Sequence, residues 1–180
     1  MNIDLTRNYF ELFGLSEGFE VDQEELASKY RAFQSALHPD RFTGRSDQEQ
    51  RLSVQHTAFV NEAYSVLKND LKRAHYLLGL QDAEFDADTE TSRDAEFLMQ
   101  QMESHERVAE LDHAPDPGAA LEQLACEFKQ QQSELISRFS AEYARGDLGA
   151  AKDSALKLQF YERLTNQLRE KQEKLDEQLL

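Results

Sequence analysis

A single cysteine, Cys126, leaves this 180-residue chain no intrachain disulfide and no CxxC or zinc-ribbon pattern. No apolar run approaches the roughly 20 residues needed to span a bilayer. The first residues, acidic and polar, lack the apolar stretch of a signal peptide. A reducing, cytoplasmic setting with no membrane partner is the expectation. Positive charge is short as well: 20 Lys+Arg stand against 35 Asp+Glu, a net of −15. That balance argues against nucleic acid, because phosphate binding needs a basic footprint. No Gly-rich phosphate loop is present, so the chain is not expected to hydrolyse ATP itself. With only 7 glycines and 3 prolines, and abundant Glu, Gln, Leu and Ala, it reads as all-α.

The charge is uneven. Residues 1–80 hold 9 basic against 12 acidic side chains, and residues 81–180 hold 11 against 23. Two parts follow: a first domain over 1–80, an acidic, aperiodic linker over 81–91, and a second domain over 92–180.

In the first part, Tyr9, Phe10, Leu12, Phe13 and Leu15 form a short apolar cluster that Gly14 can end as a helix. Asp22 is a good N-cap with Glu25 at the capping-box position, and Leu26, Tyr30, Phe33 and Leu37 then follow at helical steps. Pro39 stops that helix at or before His38, since proline fixes φ, lacks an N–H and pushes its predecessor out of the α region. Ser46 with Glu49 opens a second long helix. Its expected stripe is Leu52, Ala58 or Phe59, Ala63, Val66 and Leu67, and a further short segment covers Leu71 to Leu80. The product is an antiparallel helical hairpin with His38-Pro39-Asp40 near the start of its loop. Alone, such a triplet is most simply a helix stop followed by a turn.

Its surroundings change that reading. Glu25-Leu26, Lys29-Tyr30-Arg31, Leu37 to Arg41, Asn61 to Leu67 and Lys72-Arg73-Ala74 resemble a J-domain, with the spacing intact on both sides of the loop. The resemblance covers the first 75 to 80 residues. It implies a co-chaperone of a DnaK-class ATPase, with His38, Pro39 and Asp40 contacting the chaperone and stimulating hydrolysis. Lys29, Arg31 and Arg41 are the basic residues expected beside them. Ser28, Ala32 and Ala36 stand where other members often carry basic residues, so steering onto an acidic chaperone groove is expected to be weaker. This favours a dedicated partner.

The acidic half carries three helical patterns, which predict an antiparallel three-helix bundle. The first runs from about Ser92 to Asp112. Asp116 and Pro117 start the second, which bears Leu121, Leu124, Phe128, Leu135, Phe139 and Tyr143 and reaches Gly146. The third carries Leu158, Tyr161, Leu164, Leu168, Leu175 and Leu179. In the first, Phe97, Val108 and Leu111 share one side at 100° per residue, while Ala95, Leu98, Met99 and Met102 lie roughly 140° away. A bundle member needs one stripe, so the second is a candidate partner surface. Phe160 lies roughly 70° off the centre of its own helix's apolar face and is expected at the bundle's edge.

A J-domain followed by this acidic bundle, with Arg93-Asp94, Phe97 to Met99, Met102-Glu103 and Glu106 opening it and Lys157-Leu158 and Phe160 late in it, resembles the HscB family. That resemblance implies a bundle that binds an IscU-type iron–sulfur scaffold protein and delivers it to HscA, the DnaK-class partner. Leu98, Met99, Met102 and Phe160 then serve as apolar contacts, with Arg93, Glu103 and Glu106 as polar neighbours. His105 stands where a basic residue is often found, which makes a charge contact there pH-dependent.

An enzyme is not expected. Ser46 and Thr43 lack a base–orienter arrangement near His38 and Asp40, and His105 with His113 is a weak metal pattern. No cofactor is implied. Cys126 is expected to be partly buried and inert, and His56 and His75 to be surface residues. Two other readings stand beside the first: a J-domain protein with a different client, and a helical scaffold with no chaperone partner.

Overall fold

The structure, a computed structural model, describes residues 3–38, 46–86 and 90–178. Among them every regular element is helical: α1 (Tyr9–Phe13), α2 (Gln23–Ala36), α3 (Asp47–Lys68), α4 (Asp70–Leu80), α5 (Ala95–Glu110), a 3₁₀ turn at Leu111–His113, α6 (Pro117–Ala144) and α7 (Leu148–Gln178). No helix in the described residues is long and apolar enough to cross a membrane. The chain divides into two compact units, residues 1–77 and 78–180.

Local chemistry fixes the helix ends of the first unit. Asn8 and Glu11 form a capping box on α1, and Gly14 closes it in the left-handed region at φ 59°, where a side chain would be strained. Asp22 caps α2 through the backbone N–H groups of Glu24 and Glu25. Glu25 does not complete a box; its carboxylate pairs with Lys29 at 2.7 Å, one turn on. Ser46 and Glu49 make the expected box on α3.

A helix of five residues cannot hold itself together, and α1 is held by aromatic packing. Tyr9 stacks on Tyr76 at 4.4 Å between ring centroids, and the Tyr76 hydroxyl accepts the otherwise orphaned Tyr9 N–H at 2.9 Å. Phe10, Phe13, Leu26, Val60, Ala63, Leu67 and Leu77 fill the centre. Halfway along the α2–α3 pair, Tyr30 stacks on Tyr64 at 3.9 Å and donates to Asn61 Oδ1. Arg73 is almost fully buried. Its guanidinium donates to the carbonyls of Phe19 and Leu67 at 2.7 and 2.6 Å and lies over the Phe19 ring, joining α4 to the loop before α2 and the end of α3.

The buried stripe of α3 is Ser53, His56, Val60, Ala63 and Leu67. Two sequence expectations fail here. Leu52 is exposed, and His56 is buried rather than on the surface. Burial pushes the His56 pKa below the usual histidine value, because taking the ring out of water disfavours its charged form.

In the second unit Asp94 caps α5, which starts at Ala95 rather than about Ser92, and Asp116 with Pro117 at the first position opens α6, the start that the sequence indicates. Gly146, at φ 73°, permits the short turn into α7. The run of cross-links gives the helix directions. Glu142 accepts from Ser154 and Gln132 donates to Thr165, so α6 and α7 run antiparallel. Lys157 reaches Asp94 at one end of α5 and Lys171 reaches Asp112 just past its other end, so α5 and α7 run parallel. The core comprises Phe97, Val108, Leu111, Leu121, Leu124, Phe128, Leu135, Phe139, Leu158, Tyr161, Leu164 and Leu168. Cys126, expected to be partly buried, is exposed: one residue beyond Ala125 rotates it away from the core stripe.

Candidate partner-binding surfaces

Two surfaces carry the residues singled out in the sequence. The first is the end of the α2–α3 pair. His38 follows the last turn of α2 and is exposed, while Leu37 before it is buried. The Ser53 hydroxyl of α3 lies 3.5 Å from the Leu37 carbonyl and holds the end of α2 from beneath. Between the helices at this end is a cavity of about 180 Å³ lined by Gln34, Leu37, His38, Thr57, Val60 and Asn61. Pro39, Asp40 and Arg41 lie outside the described residues. Arg31 is exposed on α2. Lys29 is engaged within the fold: besides Glu25, its ammonium donates to the Gly14 carbonyl at 2.9 Å, which caps the C-terminal end of α1. Of the two basic residues of the set that are described, Lys29 has an ion pair and a backbone acceptor within the fold.

The second surface is the outer face of α5. Phe97 and Val108 turn inward, and opposite them Leu98 is 39% exposed, Met99 73% and Met102 68%. Arg93, Glu103 and Glu106 are exposed around them. Phe160 of α7 lies at one flank of this ridge, half-buried rather than projecting. Its ring meets Phe97 edge-on at 5.5 Å, Tyr161 at 5.2 Å and His105 at 5.4 Å. The His105 ring contact is absent from the sequence reading, which gave His105 a charge role only. The four-residue spacing from Gln101 to His105, beside the Leu98–Met102 pair, was the available signal.

The ridge is anchored at its start. Lys157, buried on α7, donates to Asp94 at 2.7 Å and pairs with Asp153 at 2.8 Å, with its ammonium over the Phe97 ring. Burial works against the charge on Lys157, but the hydrogen bonds to Asp153 and Asp94 outweigh it and its pKa lies above the ordinary lysine value. The Asp94 carboxyl, bound by Lys157 and by the Phe97 N–H, lies below the usual carboxylate range. A lysine inside the apolar stripe of α7 was the sequence sign of such a buried pair.

What the two surfaces offer is contact: an exposed imidazole at a helix end, and an apolar ridge ringed by charges. Known proteins carry the same two parts in the same order. The family model described as DnaJ domain matches residues 8–76, and the model described as HSCB C-terminal oligomerisation domain matches residues 93–169. The Co-chaperone protein HscB homolog of Aeromonas salmonicida is 41% identical over 161 residues, covering 89% of this chain and 94% of that one. Among solved structures, chaperone HscB from Vibrio cholerae matches with a TM-score of 0.83 and 37% identity over 97% of this chain and 100% of its own. Human co-chaperone protein HscB matches with a TM-score of 0.87 and 32% identity, over 94% and 84%. A DnaJ-type unit followed by an acidic three-helix bundle, aligned at this level along nearly its whole length, belongs to the HscB family of co-chaperones.

Proposed function

We propose that this protein is a two-site adaptor with no chemistry of its own. The α5 ridge of Leu98, Met99 and Met102, with Phe160 at its flank and Arg93, Glu103 and Glu106 around it, holds an IscU-type iron–sulfur scaffold protein. The end of the α2–α3 pair, through His38, Pro39, Asp40, Arg31 and Arg41, engages a DnaK-class chaperone of the HscA type and stimulates its ATPase. Joining the two sites in one chain raises the effective concentration of client at the chaperone, and stimulated hydrolysis then traps it. The domain division that serves this reading is a J-domain over 1–80, a linker over 81–91 and a client-binding bundle over 92–180, working in the cytoplasm.

The observation that carries the reading is the pair of faces on α5. The bundle core already has Phe97 and Val108 from this helix, yet three large apolar side chains stand exposed on its other side. Solvent-facing apolar side chains gathered on one face, ringed by charge, are the pattern of a binding site. Two of them are methionines, which adapt to a partner's shape.

The test uses the whole chain, a DnaK-class chaperone and the scaffold protein. His38→Gln is expected to abolish stimulation of ATP turnover while leaving helicity and scaffold affinity unchanged. Turnover at the wild-type rate would end the chaperone half of the proposal. A helical scaffold protein without a chaperone partner would leave hydrolysis unaffected from the outset.

A further inference from the structure

A second pocket lies on the other flank of α5, in the cleft it forms with α6. Its volume is about 240 Å³. Phe97 and Leu135 provide an apolar floor, and Glu96 and Gln100 of α5 face Gln131, Glu134 and Arg138 of α6 across it. Tyr161 of α7 closes the inner wall. It is only 5% exposed, and its hydroxyl has no hydrogen-bond partner among the described residues. The hydroxyl is not sealed in, however; it keeps accessible surface at the pocket. A tyrosine hydroxyl this deep ordinarily finds a partner. This one has only the nearby charge of Glu134, which, after burial, raises its pKa and keeps it protonated.

The charges in the pocket do not balance. Lys157 at the base is cancelled by Asp94 and Asp153. That leaves the carboxylates of Glu96 and Glu134 against the single guanidinium of Arg138, which has no ion pair among the described residues. The half of the chain that holds the pocket is acidic as well, with 23 acidic to 11 basic side chains over 81–180. An anion entering here meets two carboxylates. A cation on a flexible stem meets an apolar floor for its methylenes, two carboxylates for its charge and an unclaimed hydroxyl lone pair.

We infer that this cleft between α5 and α6 receives a lysine or arginine side chain of the protein that sits on the α5 ridge. The inference rests on the ridge being a client surface. At 100° per residue Glu96 and Gln100 flank the outer line of Met99, Glu103 and Glu106 on one side, while His105 and Phe160 flank it on the other. A partner seated astride α5 therefore reaches both flanks. The apolar flank supplies area, and the cleft supplies a charge-assisted anchor that fixes register along the helix.

The experiment measures scaffold-protein affinity calorimetrically with full-length variants. Glu134→Gln is expected to weaken binding about tenfold at low ionic strength, with the difference shrinking toward about 0.5 M salt. Glu173→Gln, the same charge change far along α7, is expected to leave affinity unchanged. Tyr161→Phe is expected to weaken binding about threefold with no drop in melting temperature, because no internal hydrogen bond is lost. Arg138→Gln is expected to tighten binding by removing repulsion. Should Glu134→Gln and Tyr161→Phe bind like the parent while Leu98→Ala weakens, the cleft is merely solvated: the inference fails and the ridge stands. Loss of binding on Arg138→Gln with gain on Glu134→Gln means the cleft takes an anion, and overturns it too. If the pocket variants act and Leu98→Ala does not, the scaffold protein uses the cleft without the ridge, which overturns the inference of a partner seated astride α5. If none of them acts, both readings fall.

Discussion

The molecule contains two long antiparallel helix pairs built on opposite plans. In α6–α7 the turn is short, closed by Gly146, and the contact is filled from end to end: Leu124, Phe128, Leu135 and Phe139 face Leu158, Tyr161, Leu164 and Leu168, all buried. In α2–α3 the connection runs from residue 37 to 46, and halfway along the pair Tyr30 meets Tyr64 and Asn61. Toward His38 the pair is propped by a long Ser53–Leu37 contact and leaves a cavity of about 180 Å³. Among the described residues, then, the α6–α7 contact is filled, while the α2–α3 pair keeps an open space at the end where His38 is exposed.

If that contrast is right, the largest effect comes from the filled pair. Phe139, fully buried, is expected to cost about 3–5 kcal/mol of stability on Phe139→Ala. Hydrogen exchange should show the loss in α6 and α7 and not in α2 and α3; equal loss in both units would erase the distinction. Next comes the α5 ridge. Leu98→Ala is expected to weaken scaffold binding by about 2 kcal/mol with an unchanged melting temperature, since the side chain is exposed. Phe160→Ala is expected to lower both affinity and stability, because its ring also packs on Phe97, Tyr161 and His105. At the middle of the α2–α3 pair, Tyr30→Phe keeps the stack but loses the Asn61 bond. About 1 kcal/mol of stability is expected to go, read by urea denaturation.

The anchor of α5 gives the smallest and most specific effect. The depressed Asp94 pKa means its contribution is present above the unfolded value of about 3.9 and fades as pH falls through the folded one. The raised Lys157 pKa means its contribution is present below about 10.4 and fades as pH rises through its folded value. The stability gap between the parent and Lys157→Met should therefore be level through neutral pH and narrow at both extremes. A gap that persists under strong acid would show that the lysine acts through packing alone.

How much of this was legible in the sequence depended on how local the cause was. Gly14, Asp22, the Ser46–Glu49 box and the Asp116–Pro117 start are written in neighbouring residues, and all appear in the structure. The two faces of α5 followed from a 100° step, and the exposures of Leu98, Met99 and Met102 agree with it. The centre of the α3 stripe did not follow. Periodicity locates a stripe through its apolar members, and here Ser53 and His56 complete the buried line while Leu52 lies outside it. Arg73 is misleading in the same way, since a basic residue late in a short helix gives no sign that two distant carbonyls await it. The bond from Lys29 to the Gly14 carbonyl was not legible either, because that acceptor is a backbone group fifteen residues away at the end of another helix.

The exposed thiol of Cys126 has a practical use. It is the chain's only cysteine and points away from the buried stripe of α6, and the chain contains no tryptophan. One maleimide dye therefore labels the native protein at a single known place without engineering. An indole introduced beside His38 would be the sole emitter of its kind, so the proposed client binding on one unit and the proposed chaperone binding on the other become separately testable in a single molecule.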